Sequence, residues 1–288
     1  SGVDDNANYD SEGIFELTKT FLDYPDREIF FSFSHHNHDD YETENLLYDD
    51  SSDSDNNRDE STVLSNDLGM YEVAFNYKIP LSKQENLEFG YDGGFVSSAQ
   101  KMDFELAGLT GINNFDYNRD IHAIFIEYDV ELSSSISVKP SLRYEILSRT
   151  INSNIDNYNA DDYLGNNPLG EYIVYNNQNP VPEQTYEKNT LYPALNITYN
   201  LNKKQSIQFG LSKRVDRPGS FGHGWGQMKI RPFPRDIYSE GFVFIGNPNL
   251  NPEYSTQYDL SFKSPAPMGF FTSSIFYHEI TDKIEWYD

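Results

Sequence analysis

Successive stretches of this chain alternate apolar and polar residues with a period of two, and several do so over more residues than a soluble sheet commonly uses. In 70–80, Tyr71, Val73, Phe75, Tyr77 and Ile79 share one face, while Glu72, Ala74, Asn76 and Lys78 take the other. In 120–132, Ile124, Ile126, Tyr128, Val130 and Leu132 oppose Phe125, Glu127, Asp129 and Glu131. In 136–147, Ile136, Val138, Leu142, Tyr144 and Ile146 oppose Ser137, Lys139, Ser141, Arg143 and Glu145. Leu191, Leu195, Ile197, Tyr199 and Leu201 form a further stripe, followed by Ile207, Phe209 and Leu211. Each stretch reads as a two-faced strand, and no comparable helical period is present.

The connections add a second regularity. Short links fall near 23–26, 81–85, 133–135, 202–204 and 264–268, and long polar ones near 38–68, 107–118, 151–188 and 215–253. Strands at 12–22, 27–37, 69–80, 86–105, 119–132, 136–150, 189–201, 205–214, 255–263 and 269–286 place every short turn on one side and every long loop on the other. The fold class this predicts is all-β, an antiparallel up-and-down transmembrane β-barrel. The strands reach the roughly 9–11 residues that a tilted span requires. A soluble sandwich also alternates, but its strands are nearer 5–6 residues and nothing sorts its loops by length. Tyr77, Tyr91, Tyr128, Tyr144, Tyr199, Phe209, Tyr258, Tyr277 and Trp286 recur where interfacial girdles sit, a pattern that the strand preference of aromatics also produces.

Composition removes other classes. With 21 basic against 46 acidic residues, the net charge of -25 leaves little to neutralise nucleic-acid phosphates, so no nucleic-acid partner is expected. The 20 Phe and 22 Tyr are too many for a disordered acidic chain. Zero cysteines exclude a disulfide framework and thiolate metal sites. No window of apolar residues is long enough for a transmembrane helix, and no basic-then-apolar leader opens the chain. Residues 1–288, from Ser1 to Asp288, read as one partial unit cut at both ends.

At 205–263 the sequence QSIQFGLSKRVDRPGSF, followed by GNPNLNPEYSTQYDLSFK, resembles the late-barrel signature of TonB-dependent receptors. It is most similar to their outer-membrane β-barrel subfamily, in which a strand ends in Arg-x-x-Arg-Pro and the next opens with Asn-Pro-Asn-Leu-x-Pro-Glu. Those positions are Arg214, Arg217 and Pro218, then Asn247, Pro248, Asn249, Leu250, Pro252 and Glu253. YKIPLSKQENLEFGYDGGF and IFIEYDVELSSSISVKPSLRYEIL resemble the subfamily's hairpins in the same order, and IFYHEITDKIEWYD resembles the strand after the signature. The match covers about 70–288 in ordered blocks and 1–69 by strand pattern only.

The resemblance implies about ten strands of a larger barrel of roughly 22, filled in the family by a plug for which no sequence is visible here. It implies a Gram-negative outer membrane, long loops outside, and contact with outer-membrane lipid and lipopolysaccharide. It also implies substrate uptake coupled to the TonB system through a plug. The alternative is a structural or docking barrel in a secretion, insertion or surface assembly, with a surface lipoprotein or other subunits as partners. A secreted all-β adhesin is a third reading. Within the signature, Pro218 removes a ladder donor, and Asn247-Pro248 and Asn251-Pro252 set turn or extended geometry before the next strand. Glu253 and the arginines are placed to pair across the loop mouth, with solvated rim charges as the alternative.

Three further stretches hold candidate site residues. His36, His38 and Asp40 lie at i, i+2 and i+4 on one strand face, a metal-ligand arrangement without a second ligand cluster, entering a polar loop. The acidic run DDSSDSDNNRDE at 49–60 fails the calcium-loop pattern, since Arg58 stands where Gly is required and Leu64 where the closing Glu belongs. It suits loosely bound divalent cations at a lipopolysaccharide-facing rim, against the plainer reading of a solvated loop. The segment 219–246 combines Gly219, Gly222, Gly224, Gly226 and Gly241 with Phe221, His223, Trp225, Phe233 and Phe244. It is a candidate ligand or partner loop over a barrel mouth, or loop packing alone. Nucleophile elbows, zinc-protease helices, phosphate loops and dinucleotide fingerprints are absent, so no enzyme, catalytic residue or cofactor is expected.

Overall fold

The computed structural model describes residues 2–22, 24–48, 58–106, 109–156, 183–219, 229–230 and 246–285. Within them lie β1 (Gly2–Phe21), β2 (Tyr24–Tyr48), β3 (Arg58–Ser82), β4 (Glu85–Leu106) and β5 (Leu109–Ser133). These are followed by β6 (Ile136–Asp156), β7 (Gln184–Asn202), β8 (Gln205–Asp216), β9 (Glu253–Ala266) and β10 (Gly269–Thr281). The ten strands form one sheet in chain order, β1 to β10, each antiparallel to the next. Among the described residues β1 and β10 are its two unpaired edges, so the sheet is not closed. No helix among them is long and apolar enough to cross a membrane.

Side-chain caps make the tight turns. Ser82 Oγ accepts from the Gln84 amide at 3.2 Å, and Ser133 Oγ from the amides of Ser135 and Ile136 at 3.2 and 3.1 Å. Asn202 Oδ1 accepts from the amides of Lys204 and Gln205 at 2.9 and 3.1 Å. These short polar side chains supply acceptors to donors that the ladder leaves free, which is why Ser and Asn stand there.

Register aligns the apolar stripes into rows. Leu17, Phe31, Phe75, Tyr91, Ile124, Tyr144 and Leu191 are successive cross-strand partners from β1 to β7. Val138, Ile197, Phe209, Leu260 and Ile275 continue the belt from β6 to β10. These side chains are exposed or half-buried: Ile124 is 59% exposed, Leu191 51% and Ile275 73%. Large aliphatic residues left uncovered in continuous rows on one face mark a surface that meets lipid. The opposite face carries the polar row Ser32, Ala74, Asp92, Ala123, Glu145 and Thr190.

The strands correct the expected loop boundaries. Of the polar loop expected at 38–68, residues 38–48 finish β2 and 58–68 open β3. The loop expected at 107–118 is largely strand, because Leu109–Asn118 pairs with β4. Likewise β6 extends to Asp156, β7 starts at Gln184, and β1 begins at Gly2 rather than near residue 12. The expected last strand ends at Thr281, and Trp286 lies outside the described residues. Ladder hydrogen bonds need no apolar side chain, so strands that outrun the lipid belt carry Asn, Asp and Ser and look like loops by composition. The rims are sorted by side as expected, yet the β4–β5 connection spans only 107–108, so length alone does not sort them.

An Ile126→Arg substitution tests the belt. Placing a guanidinium among these outward rows is expected to destabilise folding into lipid vesicles by about 2–4 kcal/mol, measured by urea titration. Ser32→Arg, on the polar face beside Glu16, is expected to stay within about 1 kcal/mol of the parent protein.

Candidate functional site on the inner wall

Above the belt, the polar face of β5 to β7 gathers a different set of side chains. Period-two projection brings Asn113, Phe115, Tyr117 and Arg119 of β5 beside Glu145, Leu147, Arg149 and Ile151 of β6. Phe115, Tyr117 and Ile151 are fully buried, and Glu145 and Arg149 are only 5% exposed. What covers them includes the connection between β8 and β9, which holds the signature residues.

That connection is bound to the wall by charge and by shape. Arg149 donates through Nη2 to the Pro248 carbonyl at 3.1 Å and through Nη1 to the Leu250 carbonyl at 3.2 Å. Arg217 donates to Glu145, whose other oxygen lies 3.5 Å from Nε of Arg143, and Arg143 also reaches Asp92. The proline-rich stretch has carbonyls but few donors, so an inward-facing arginine is a suitable partner for them. Ile230 is fully buried, as are Pro218 and Pro252. Gly219 takes φ +82°, and a Cβ there would lie 2.6 Å from Ile230 Cδ1 and 3.2 Å from the Tyr117 ring, so this turn requires glycine.

The 246–252 stretch is folded on itself. The Asn247 amide donates to the Lys229 carbonyl at 2.8 Å, and the Leu250 amide to the Asn247 carbonyl at 3.2 Å. Asn247 Oδ1 accepts from the Asn249 amide at 2.9 Å, an Asx turn. Glu253 accepts from the Ile284 amide at 2.9 Å, while Arg217 finds Glu145, so the pairing expected between Glu253 and the arginines gives way to these partners. Arg214 is exposed on β8, opposite Ser255.

Next to this contact the sheet forks. Pairing between β7 and β8 stops at Ala194 and Ser212, beside Pro193, whose ring nitrogen has no proton to give. Beyond that point β8 pairs only with β9, as far as Asp216 and Glu253. Tyr254 is buried at the fork, its ring stacked 6.5 Å from Tyr192 with the ammonium groups of Lys188 and Lys213 at 4.6 and 5.0 Å. Arg149 in turn lies 5.2 Å from the Tyr186 ring.

Tyr117 and Arg149 stand where the outward neighbours are Asp116, Asn118, Ser148 and Thr150, outside the apolar belt. Burial pushes the Tyr117 hydroxyl above its ordinary pKa, against the pull of Arg119, Arg149 and Arg217. Burial also lowers the Arg149 pKa, offset by Tyr117 and Tyr186. The upward shift keeps Tyr117 a neutral phenol through the neutral range.

The other candidates fare differently. His38 Nδ1 lies 2.6 Å from Asp10 Oδ1 and His36 Nε2 4.0 Å from the same oxygen, while Asp40 lies opposite Asn8 and Asn66. The expected His36, His38 and Asp40 set is therefore not what the sheet assembles. Side chains two residues apart on a strand stand farther apart than those across a ladder, so Asp10 on β1 wins. Among the described residues no group of three or more His, Asp or Glu side chains is arranged to hold a metal ion. Phe221, His223, Trp225, Phe233 and Phe244 lie outside the described residues, as do 49–57 of the acidic run; 58–60 open β3. Tyr117, Glu145 and Arg149 were not singled out from the sequence. Their one signal there is Glu145 and Arg149 on the polar face of a strand otherwise bounded by apolar residues.

An antiparallel meander with a lipid-facing belt and buried ion pairs on its polar side is the wall of an outer-membrane barrel. Residues 20–287 match the outer membrane protein beta-barrel family, and the chain belongs to it, as a multi-pass barrel of the outer membrane. No curated protein sequence matches it significantly. Its fold is shared with the ferric-catecholate import receptor Fiu from K12 E. coli, at TM-score 0.58 and 10% identity over 98% of this chain and 42% of that one. It is also shared with the ferric yersiniabactin uptake receptor FyuA from Yersinia pestis, at 0.54 and 10% over 96% and 46%. The ferric citrate transporter FecA in its unliganded form aligns at 0.52 and 10% over 89% and 32%. The chain thus spans less than half the length of each. Family and fold agree with the resemblance to TonB-dependent receptors drawn from the 205–263 signature.

Arg149→Gln is expected to loosen the bound connection by about 1.5–3 kcal/mol, the worth of hydrogen bonds to a charged group. Hydrogen exchange at the Leu250 amide should accelerate accordingly, while Arg214→Gln on the exposed side leaves it unchanged.

Proposed function

We propose that this chain is part of the wall of a receptor that takes a substrate up across the outer membrane, with its polar face lining the passage. One observation carries the reading: the β8–β9 connection is fastened to the inner wall by Arg149 and by the Arg217–Glu145 pair. A connection held there narrows the lumen at the end opposite the tight turns, where a selective uptake barrel needs its entry. The long connections then face outside and the tight turns face the periplasm. The neighbours named as iron or copper transporters and uptake receptors support transport as the activity, and the resemblance at 205–263 supplies the TonB system as partner through a plug.

A structural or docking barrel is the second reading, and one feature favours it. The outward side chains above the belt include Asp39, Asp67, Asp116, Asp120 and Glu187, a tall acidic wall suited to a surface lipoprotein or another assembly subunit. The two readings part on accumulation. Cells carrying the full-length protein are expected to take up ferric citrate, a ferric catecholate or copper severalfold faster than deletion cells, and to lose that excess when TonB is removed. No excess for any of these probes, with the protein recovered in a stable multisubunit surface complex, would replace uptake by docking.

A further inference from the structure

The belt face holds one group of charges that the passage does not use. Lys19 and Phe21 of β1, Arg27 of β2 and Tyr77 of β3 cluster at the tight-turn rim; Lys19, Ile29, Tyr77 and Phe89 are successive cross-strand partners on the outward side. Arg27 Nε donates to the Tyr77 hydroxyl at 2.6 Å, and Nη2 donates to the same oxygen. The guanidinium carbon lies 4.6 Å from the Phe21 ring centre and 5.4 Å from that of Tyr77, and Lys19 Nζ lies 5.8 Å from the Phe21 ring. Tyr77 is held in turn by an edge-on contact with Phe89, centroids 5.5 Å apart. The guanidinium is therefore fixed between two rings before any ligand arrives.

Several other cations of this wall have carboxylate partners: Lys101 with Asp103 at 2.7 Å, Lys139 with Glu127 at 2.6 Å, and Arg143 and Arg217 with Glu145; Arg149, Lys188 and Lys213 are held instead by carbonyls or rings on the polar face. Among the described residues neither Lys19 nor Arg27 has a carboxylate within ion-pair distance. In a chain of net charge -25, two cations side by side on the lipid-facing surface, with no carboxylate to neutralise them, present a positive site to an anion at the membrane. Arg27 spends two of its five N–H donors on one hydroxyl, and the Tyr77 O–H is itself free to donate outward.

We propose that this cluster binds the phosphate headgroup of an anionic glycerophospholipid. The guanidinium fork matches a phosphate, the ammonium adds charge, and the aromatic rings place both at headgroup depth. Position selects the lipid. The strands turn within a few residues of the cluster, leaving a low rim suited to a compact headgroup, whereas β2 to β5 rise far above the belt at the other end. The inference rests on the outward face meeting lipid, and it adds a specific ligand to that face.

The test is lipid retention by the full-length protein in nanodiscs that mix phosphatidylglycerol with phosphatidylcholine, read by native mass spectrometry after lipid stripping. Parent protein is expected to retain phosphatidylglycerol preferentially. Lys19→Gln and Arg27→Gln should each lower that retention about fivefold, the effect of one cation near a charged headgroup. Tyr77→Phe should weaken it less, and inorganic phosphate should not compete. Equal retention of the two lipids, unchanged retention in the variants, displacement by inorganic phosphate, or loss of phosphatidylglycerol to added lipopolysaccharide would each overturn the site. A protein that inserts normally but shows no preference overturns the site alone, whereas one that stays monodisperse in plain buffer and does not insert overturns the lipid-facing surface as well.

Discussion

Inside a bilayer no water is available to satisfy a backbone amide, and every other feature of this wall follows from that requirement. Each strand from β2 to β9 is hydrogen-bonded on both sides, so the spanning backbone is satisfied by its neighbours. The pairing also fixes which side chains meet lipid, because a slip of one residue would exchange the two faces of a strand. Register shifts occur at Thr20/Phe21, Pro80/Ser82, Glu131/Ser133 and Asn200/Asn202, all beside tight turns. The irregularities needed to close these hairpins are thus kept out of the span, and the rows from Leu17 to Leu191 remain unbroken.

The polar face obeys a different economy. Burying Glu145 would be costly were it not shared by Arg143 and Arg217, and burying Arg149 would be costly without the two carbonyls it meets. These interactions join β6, and through Arg143 and Asp92 also β4, to a connection with no ladder of its own. Proline at 218, 248 and 252 keeps that connection from extending the sheet, and Arg149 supplies the donors that its carbonyls lack. In this chain the signature residues hold the connection against the polar face of the sheet.

Much of this was legible in the sequence, for a physical reason. Where one face is lipid and the other is polar, the period of two must appear, as it does at Ile124–Leu132 and Tyr71–Ile79. The tight turns were legible as short links near 81–85, 133–135 and 202–204, and the structure closes them with Ser and Asn acceptors. The upper halves of the strands were not legible: at 111–118 or 61–67 the strands run past the apolar belt, so nothing forces alternation to be apolar. The inner-wall contacts were less legible still. That Asp10 reaches His38, or that Arg149 reaches Pro248 about a hundred residues away, depends on register and on the curvature of a whole sheet, which local pattern does not encode.

The central claim, that alternate side chains of one face touch hydrocarbon, is tested most directly by nitroxide scanning along β5. The chain contains no cysteine, so single cysteines at 124 to 130 can be labelled cleanly. In the full-length protein in lipid, labels at 124, 126, 128 and 130 should be relaxed by dissolved oxygen and shielded from a water-soluble nickel chelate. Labels at 125, 127 and 129 should show the opposite. A profile without that alternation, or with its phase inverted, would contradict the account.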